Sequence, residues 1–324
     1  MPIVEVNNLS VTYKTKTKRV NAVNNVSFAI EERDALGIVG ESGSGKSTLA
    51  MAILRLLPQH ITEVSGEIRF NGTDLLKLTD EKLAKLRWKE LAVVFQKSMN
   101  SLSPLHKIGA QMSDVMRIHE RSLSKRDVKS KIISLLIMVN LPERVYDLYP
   151  YELSGGMMQR VAIALSLMHN PKLLLLDEAT TALDVVTQGQ ILEEMVELER
   201  KLGITRIMIT HDMSVVASSC NKVAVMYAGQ ILETGLVKDV LANPVHPYTQ
   251  GLLKSIPSFT GEKRNIRGIP GSLPDLSAPL KGCIYAERCE HAEEVCREMK
   301  PVDIILQGNR RVACNLAGGG KYVH

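Results

Sequence analysis

Gly40-Glu41-Ser42-Gly43-Ser44-Gly45-Lys46-Ser47-Thr48 follows the apolar run Ala35-Leu36-Gly37-Ile38-Val39 and precedes Leu49-Ala50-Met51-Ala52-Ile53-Leu54. That order reads as buried strand, glycine loop, helix. Gly40-x4-Gly45-Lys46-Ser47 fits the phosphate-binding loop at every fixed position. Glycines let successive backbone N–H groups turn inward around an anion. The following helix offers its unpaired N–H groups and positive dipole end to the same phosphates. Lys46 supplies a mobile charge for the β- and γ-phosphates, and the Ser47 hydroxyl can ligate Mg²⁺. The chain is therefore expected to bind a nucleoside triphosphate.

Outward from the loop, texture divides the chain. Upstream, Val4 to Tyr13 alternates as a strand or two at a sheet edge, with further strand-like runs at Val20–Val23 and Val26–Ile30. Tyr13 reads either as an ordinary edge-strand tyrosine or as a ring that stacks on a nucleobase. Downstream, Leu91–Phe95 is a buried strand ending at Gln96. From about 97 to 170 apolar residues recur at helical spacing, which predicts a helical insertion. Strand and helix then alternate from Lys172 to Tyr227, predicting a mainly parallel sheet with helices on both faces. Beyond Asn243 the prolines multiply, and the tail is expected to be loop-rich with little core of its own.

Two further stretches carry chemistry. Leu173-Leu174-Leu175-Leu176 reads as a central parallel strand, so Asp177 and Glu178 fall at its carboxyl end, where ligands gather. Asp177 is placed to hold Mg²⁺, and Glu178 to polarise the attacking water as general base. Leu153-Ser154-Gly155-Gly156 opens an apolar helix and makes a second anion site. One triphosphate does not need two cradles in a chain. The simplest reading is that Ser154–Gly156 close on nucleotide held by another subunit.

Composition narrows the class. The 324 residues are 45% hydrophobic and 23% charged, which is globular. The net charge of +5 comes with no dense basic block, and one Trp with four Phe offers little for stacking bases, so nucleic acid is not an expected partner. No uncharged run approaches the roughly 18–20 residues of a membrane span. The start of the chain lacks a secretory pattern, and a cytosolic protein is expected. Its five cysteines then point away from a disulfide framework. Four of them form Cys283-x5-Cys289-x6-Cys296-x17-Cys314. No tight zinc knuckle and no compact ferredoxin run is present, so spacing leaves zinc, an iron–sulfur cluster and bystander thiols all open. Cys220 stands apart from the set.

In this order the motifs resemble those of the ATP-binding-cassette ATPases over roughly residues 1–255. The resemblance implies that fold: a phosphate-loop core sheet with antiparallel edge strands, a helical subdomain at about 97–170, and here a small loop-rich cysteine domain at 256–324. It implies ATP contacts at Gly40, Ser42, Gly43, Gly45, Lys46, Ser47 and Thr48, adenine stacking on Tyr13, and signature contacts across a dimer from Ser154, Gly155 and Gly156. Mg²⁺ is assigned to Ser47, Gln96 and Asp177. Catalysis falls to Glu178, Gln96 and the switch residue His211, while Ala182-Leu183-Asp184 matches the dimer-contact loop. Met157 stands where many members have Gln, and Ala179 where many have Pro. Neither change removes a phosphate ligand or a proton-transfer group.

Gln96–Pro104, His246–Pro257, Ile269–Leu276 and Gly282–Cys289 are similar to segments in the ATPase subunits of oligopeptide, dipeptide and nickel importers. That similarity implies a peripheral subunit on the cytoplasmic face of the membrane, powering import of dipeptides or oligopeptides. The alternatives are a nickel importer and a soluble cassette ATPase uncoupled from transport. The implied partners are a paralogous ATPase subunit (or a second copy), two permease subunits and, indirectly, an extracytoplasmic peptide-binding protein. It also favours a [4Fe–4S] cluster over Zn²⁺ on Cys283, Cys289, Cys296 and Cys314.

Overall fold

A computed structural model of the chain describes residues 1–96, 102–179, 183–255, 268–278 and 281–317. The chain divides into two compact units, Met1–Leu76 with Met208–His324, and Lys77–Ile207. The first unit begins with β1 (Val4–Lys14), β2 (Arg19–Ile30), β3 (Ala35–Val39), α1 (Lys46–Ile53), β4 (Thr62–Phe70) and β5 (Thr73–Asp74). The second holds α2 (Asp80–Leu86), β6 (Leu91–Phe95), α3 (Ile108–His119), α4 (Lys125–Met138), α5 (Gly155–Ser166), β7 (Leu173–Asp177) and α6 (Val185–Leu202). Strand β8 (Thr205–Thr210) crosses the division. The first unit resumes with α7 (Met213–Ser219), β9 (Lys222–Tyr227), β10 (Gln230–Leu236), α8 (Val237–Ala242) and α9 (Pro247–Lys254), and ends with α10 (Glu294–Glu298), β11 (Asp303–Leu306) and β12 (Arg310–Ala313).

In the first unit β1 is flanked on both sides, by β2 and by β4, in an antiparallel sheet ordered β2-β1-β4-β5. It is an interior strand and not the edge its alternation suggested. Val4, Val6, Leu9 and Val11 are buried, and an edge and an interior strand share that period when one face alone meets the core. The other sheet of this unit is mixed. Its strands lie in the order β11-β12-β10-β9-β3, parallel only between β3 and β9.

The tail is loop-rich among its described residues, but it also supplies two strands, β11 and β12, that the sequence reading did not assign. Strand β12 pairs antiparallel with β10, so residues 303–313 extend the sheet as a hairpin. Arg310 enters this junction buried. Its Nε donates to Glu233 Oε1 at 3.0 Å, and the same carboxylate accepts the Val245 and His246 N–H groups at 3.1 and 3.0 Å. A buried carboxylate with an arginine and two amide donors is satisfied where an unpaired one would be costly. Ile284 and Tyr285 from the tail join the core formed by Val39, Val223, Val225, Tyr227 and Tyr248. The tail thus borrows the core of the strands before it.

In the second unit β6 and β7 run parallel, with Leu91 opposite Leu173 and Phe95 opposite Asp177. The four leucines of β7 are at most 1% exposed, as a strand covered on both faces requires. Side chains cap the helices: Thr79 starts α2, Ser124 α4, Ser154 α5 and Asp184 α6, each accepting an N–H of the first turn. Met112, Met116, Val128, Ile132 and Leu136 form the buried faces of α3 and α4. Among the described residues no helix is long and apolar enough to cross a membrane.

Candidate functional site

The phosphate loop links β3 to α1 in the first unit. Gly45 occupies the N-cap of α1 at φ 98°, in the left-handed region, and a Cβ there would lie 2.2 Å from the Ala22 carbonyl oxygen. At Gly40 a Cβ would meet the Met226 carbonyl oxygen at 1.9 Å. Both positions exclude any side chain, so β2 and β9 press the loop into a cradle. Lys46 is 5% exposed, and its Nζ donates to the carbonyls of Gly40 and Glu41, each at 2.8 Å. The Ser44 hydroxyl lies 3.3 Å from the same ammonium. A buried ammonium held on the loop's own carbonyls beside exposed Ser42, Gly43 and Ser47 fits a phosphate chain in charge and in donor chemistry.

Tyr13, near the end of β1, places its hydroxyl 3.3 Å from Thr48 Oγ1, in the first turn of α1. The structure therefore brings Tyr13 to the phosphate-loop helix. His211, exposed, follows β8 directly, and the next residue, Asp212, caps α7 by accepting the Ser214 N–H at 2.8 Å.

In the second unit the carboxyl end of β7 carries Asp177, 6% exposed, and then Glu178. Glu178 sits at φ 48°, a left-handed conformation that costs a non-glycine residue on the order of 1 kcal/mol and turns the chain sharply off the strand. Gln96, at the end of the neighbouring β6, donates from Nε2 to Glu178 Oε2 at 2.8 Å. Parallel pairing of Phe95 with Asp177 sets this contact, because the next residue of each strand then lies side by side.

The Ser154–Gly156 stretch lies in the same unit. Ser154 Oγ accepts the Met157 N–H at 3.3 Å and so caps α5. A Cβ on Gly156 would come within 2.9 Å of Thr187 Cγ2, and one on Gly155 within 3.8 Å of Leu183 Cδ2. The glycines therefore lie against the start of α6. There Asp184 accepts the Thr187 N–H at 2.9 Å, a bond that holds its carboxyl below the usual carboxylate range. Ala182 of the dimer-contact motif and residues 97–101 after Gln96 lie outside the described residues.

The four C-terminal cysteines share one neighbourhood. The Cys283 N–H donates to the Cys296 carbonyl at 2.7 Å, and each of Cys283, Cys289 and Cys314 feels the charge of others in the set. Burial pushes the Cys283 thiol up to about 11 and raises those of Cys289 and Cys314. Among the described residues, however, no group of three or more His, Cys, Asp or Glu side chains is arranged as a ligand set, and here the structure falls short of the four-cysteine site expected from sequence.

Sequence reading missed the contact between the tail and the phosphate loop. Arg288 forks onto the Glu41 carboxylate, Nη1 to Oε2 at 2.9 Å and Nη2 to Oε1 at 3.1 Å, and Tyr248 OH accepts the Glu41 N–H at 3.0 Å. Glu41 fills a variable position of the motif and its partners lie more than 200 residues away, so no local pattern signals the contact.

Comparison with known proteins identifies the family and the fold. The family model described as "ABC transporter" matches residues 23–181, and that of the "oligopeptide/dipeptide transporter, C-terminal region" matches residues 232–296. A probable peptide ABC transporter ATP-binding protein of Sinorhizobium fredii is 42% identical over 96% of this chain and 94% of its own length. The chain belongs to the ATP-binding-cassette transporter family. The oligopeptide transport ATP-binding protein OppD of Salmonella typhimurium is 43% identical over 96% of this cassette chain and 93% of its own. Among solved structures, a dimeric ATP-binding cassette bound to ADP and Pi superposes with a TM-score of 0.65 at 30% identity, covering 72% of this chain and 98% of that one. The cassette cbiO1 of Clostridium perfringens gives 0.64 at 28% identity, with 74% and 91% covered. The fold is that of a cassette ATPase, and the chain is an ATPase of that family.

Proposed function

We propose that this chain is the ATP-hydrolysing subunit of an importer of dipeptides or oligopeptides. The observation that carries the reading is a C-terminal region of the oligopeptide/dipeptide transporter type attached to a cassette whose phosphate loop, Asp177 and Glu178 are intact. The named relatives, peptide transport ATP-binding proteins over nearly their whole length, support it. The cassette then spans 1–255 with its helical subdomain at about 97–170, and the extension 256–324.

Each residue takes a role that its chemistry permits. The loop from Gly40 to Thr48 receives the phosphates, Lys46 turning from its carbonyl partners to the β- and γ-oxygens, and Tyr13 faces the adenine. Ser47, Gln96 and Asp177 serve Mg²⁺. Glu178 takes the proton of the attacking water, held by the Gln96 amide, and His211 responds to the γ-phosphate. Ser154, Gly155, Gly156 and Asp184 act on nucleotide held by a second cassette, a paralogue or another copy. Val185 and Val186, 85% and 70% exposed beside Asp184, supply apolar surface for that contact. Dimer closure reorients two permease subunits, and hydrolysis resets them, with the ATPase peripheral on the cytoplasmic face.

In proteoliposomes holding the permease pair, peptide-loaded binding protein is expected to raise ATP turnover severalfold. Stimulation by nickel instead would redirect the substrate assignment. Indifference to both would favour a cassette ATPase uncoupled from import.

The extension is inferred to hold a [4Fe–4S] cluster on Cys283, Cys289, Cys296 and Cys314. Four soft thiol donors in one neighbourhood fit that group, or Zn²⁺, in chemistry, once binding displaces their protons. The cluster would staple the proline-rich tail. Anaerobic purification is expected to give about four iron and four acid-labile sulfide per chain with broad visible absorbance. One zinc without sulfide would make the staple zinc, and no metal would remove it.

A further inference from the structure

Glu41 is the second residue of the phosphate loop, and each of its polar groups is occupied. The N–H goes to Tyr248 OH at 3.0 Å, and the carbonyl accepts Lys46 Nζ at 2.8 Å and the Ser44 N–H at 3.1 Å. The carboxylate takes the Arg288 fork. Arg288 is itself locked. Nε donates to the Pro270 carbonyl at 2.7 Å, Nη2 also to the Ile269 carbonyl at 3.1 Å, and Nη1 also to Tyr227 OH at 3.3 Å. All five N–H donors of a guanidinium thus have acceptors. The group stands 5.5 Å from the centre of the Tyr227 ring, with its side chain 6% exposed. Burial works against the charge, but the bonds to Glu41 and Tyr227 outweigh it and hold Arg288 protonated.

A bidentate, shielded arginine–carboxylate pair fixes direction as well as distance, and lysine cannot reproduce it. Here it ties down a loop residue whose carbonyl, together with that of Gly40, also holds the phosphate-seeking Lys46. We propose that Arg288, acting through Glu41, is a positioning residue for the nucleotide site, so that the C-terminal extension sets the shape of the phosphate loop. Tyr248 serves the same end from α9 by holding the Glu41 amide. The proposal rests on the nucleotide-binding reading of Gly40–Thr48.

The test is titration of the full-length protein with Mg²⁺ and a non-hydrolysable ATP analogue, alongside steady-state ATPase kinetics. Arg288→Ala is expected to raise the analogue Kd about tenfold, with KM rising by more than kcat falls. Arg288→Lys is expected to recover little of this. Glu41→Gln is expected to weaken binding similarly, and the double variant to bind no worse than Arg288→Ala alone. Analogue affinity of Arg288→Ala within twofold of the wild type overturns the proposal. So does a double variant in which the two losses multiply, the mark of independent effects. Should Arg288→Ala fail to fold, Glu41→Gln decides: affinity within twofold of the wild type overturns the clamp. Failure of the wild type to bind the analogue at all would instead sink the nucleotide reading itself.

Discussion

Glu178→Gln is expected to lower ATP turnover by about 10³-fold while leaving ATP bound, the middle of the range for loss of a general base. The substitution preserves shape. The amide oxygen it introduces can accept the same Gln96 Nε2 donor that Glu178 Oε2 accepts at 2.8 Å, and the left-handed backbone at φ 48° is unaltered. What goes is the ability to take a proton from water. Because nucleotide still binds and closure precedes hydrolysis in the proposed cycle, the variant is expected to accumulate as a closed dimer in MgATP. Phosphate release and size-exclusion chromatography with and without MgATP read both effects. Turnover at the normal rate would remove Glu178 from the role of base.

Lys46→Ala is expected to weaken ATP binding by about 10²-fold or more, on the order of the 3 kcal/mol carried by strong charge-assisted hydrogen bonds. The lysine sits almost buried at the start of α1, its ammonium held by the carbonyls of Gly40 and Glu41. Alanine removes the charge that meets the phosphates and also the tie that draws those carbonyls together. Calorimetric titration with MgATP is expected to show no binding at concentrations that saturate the wild type, and transport should fail with it. Retention of affinity within threefold would show that the loop amides suffice.

What could be read from sequence follows burial. Strand β6 falls on the apolar run Leu91–Phe95 that the sequence assigns, and β8, α7 and β9 bear out the alternation of strand and helix that ends at Tyr227. The cassette motifs were legible for the same reason, since backbone demands at Gly45 and chemical demands at Lys46 tolerate few residues. Strands β11 and β12 were hidden. Arg310, at the start of β12, is buried against a carboxylate 77 positions earlier, a partner that no local pattern announces. Tyr248 and Arg288 escaped likewise, because their significance lies in distant partners and not in spacing.

The hairpin of β11 and β12 has a consequence for handling the protein. Strand β12 pairs with β10 at Glu233 and Thr234, and the outermost strand on that side is the four-residue β11. Cutting the chain after α9 would uncover the Glu233–Thr234 flank of β10 for pairing with other chains and strand the Glu233 carboxylate without its arginine. A trimmed cassette should therefore associate edge to edge, and the extension acts as a permanent cap on the sheet.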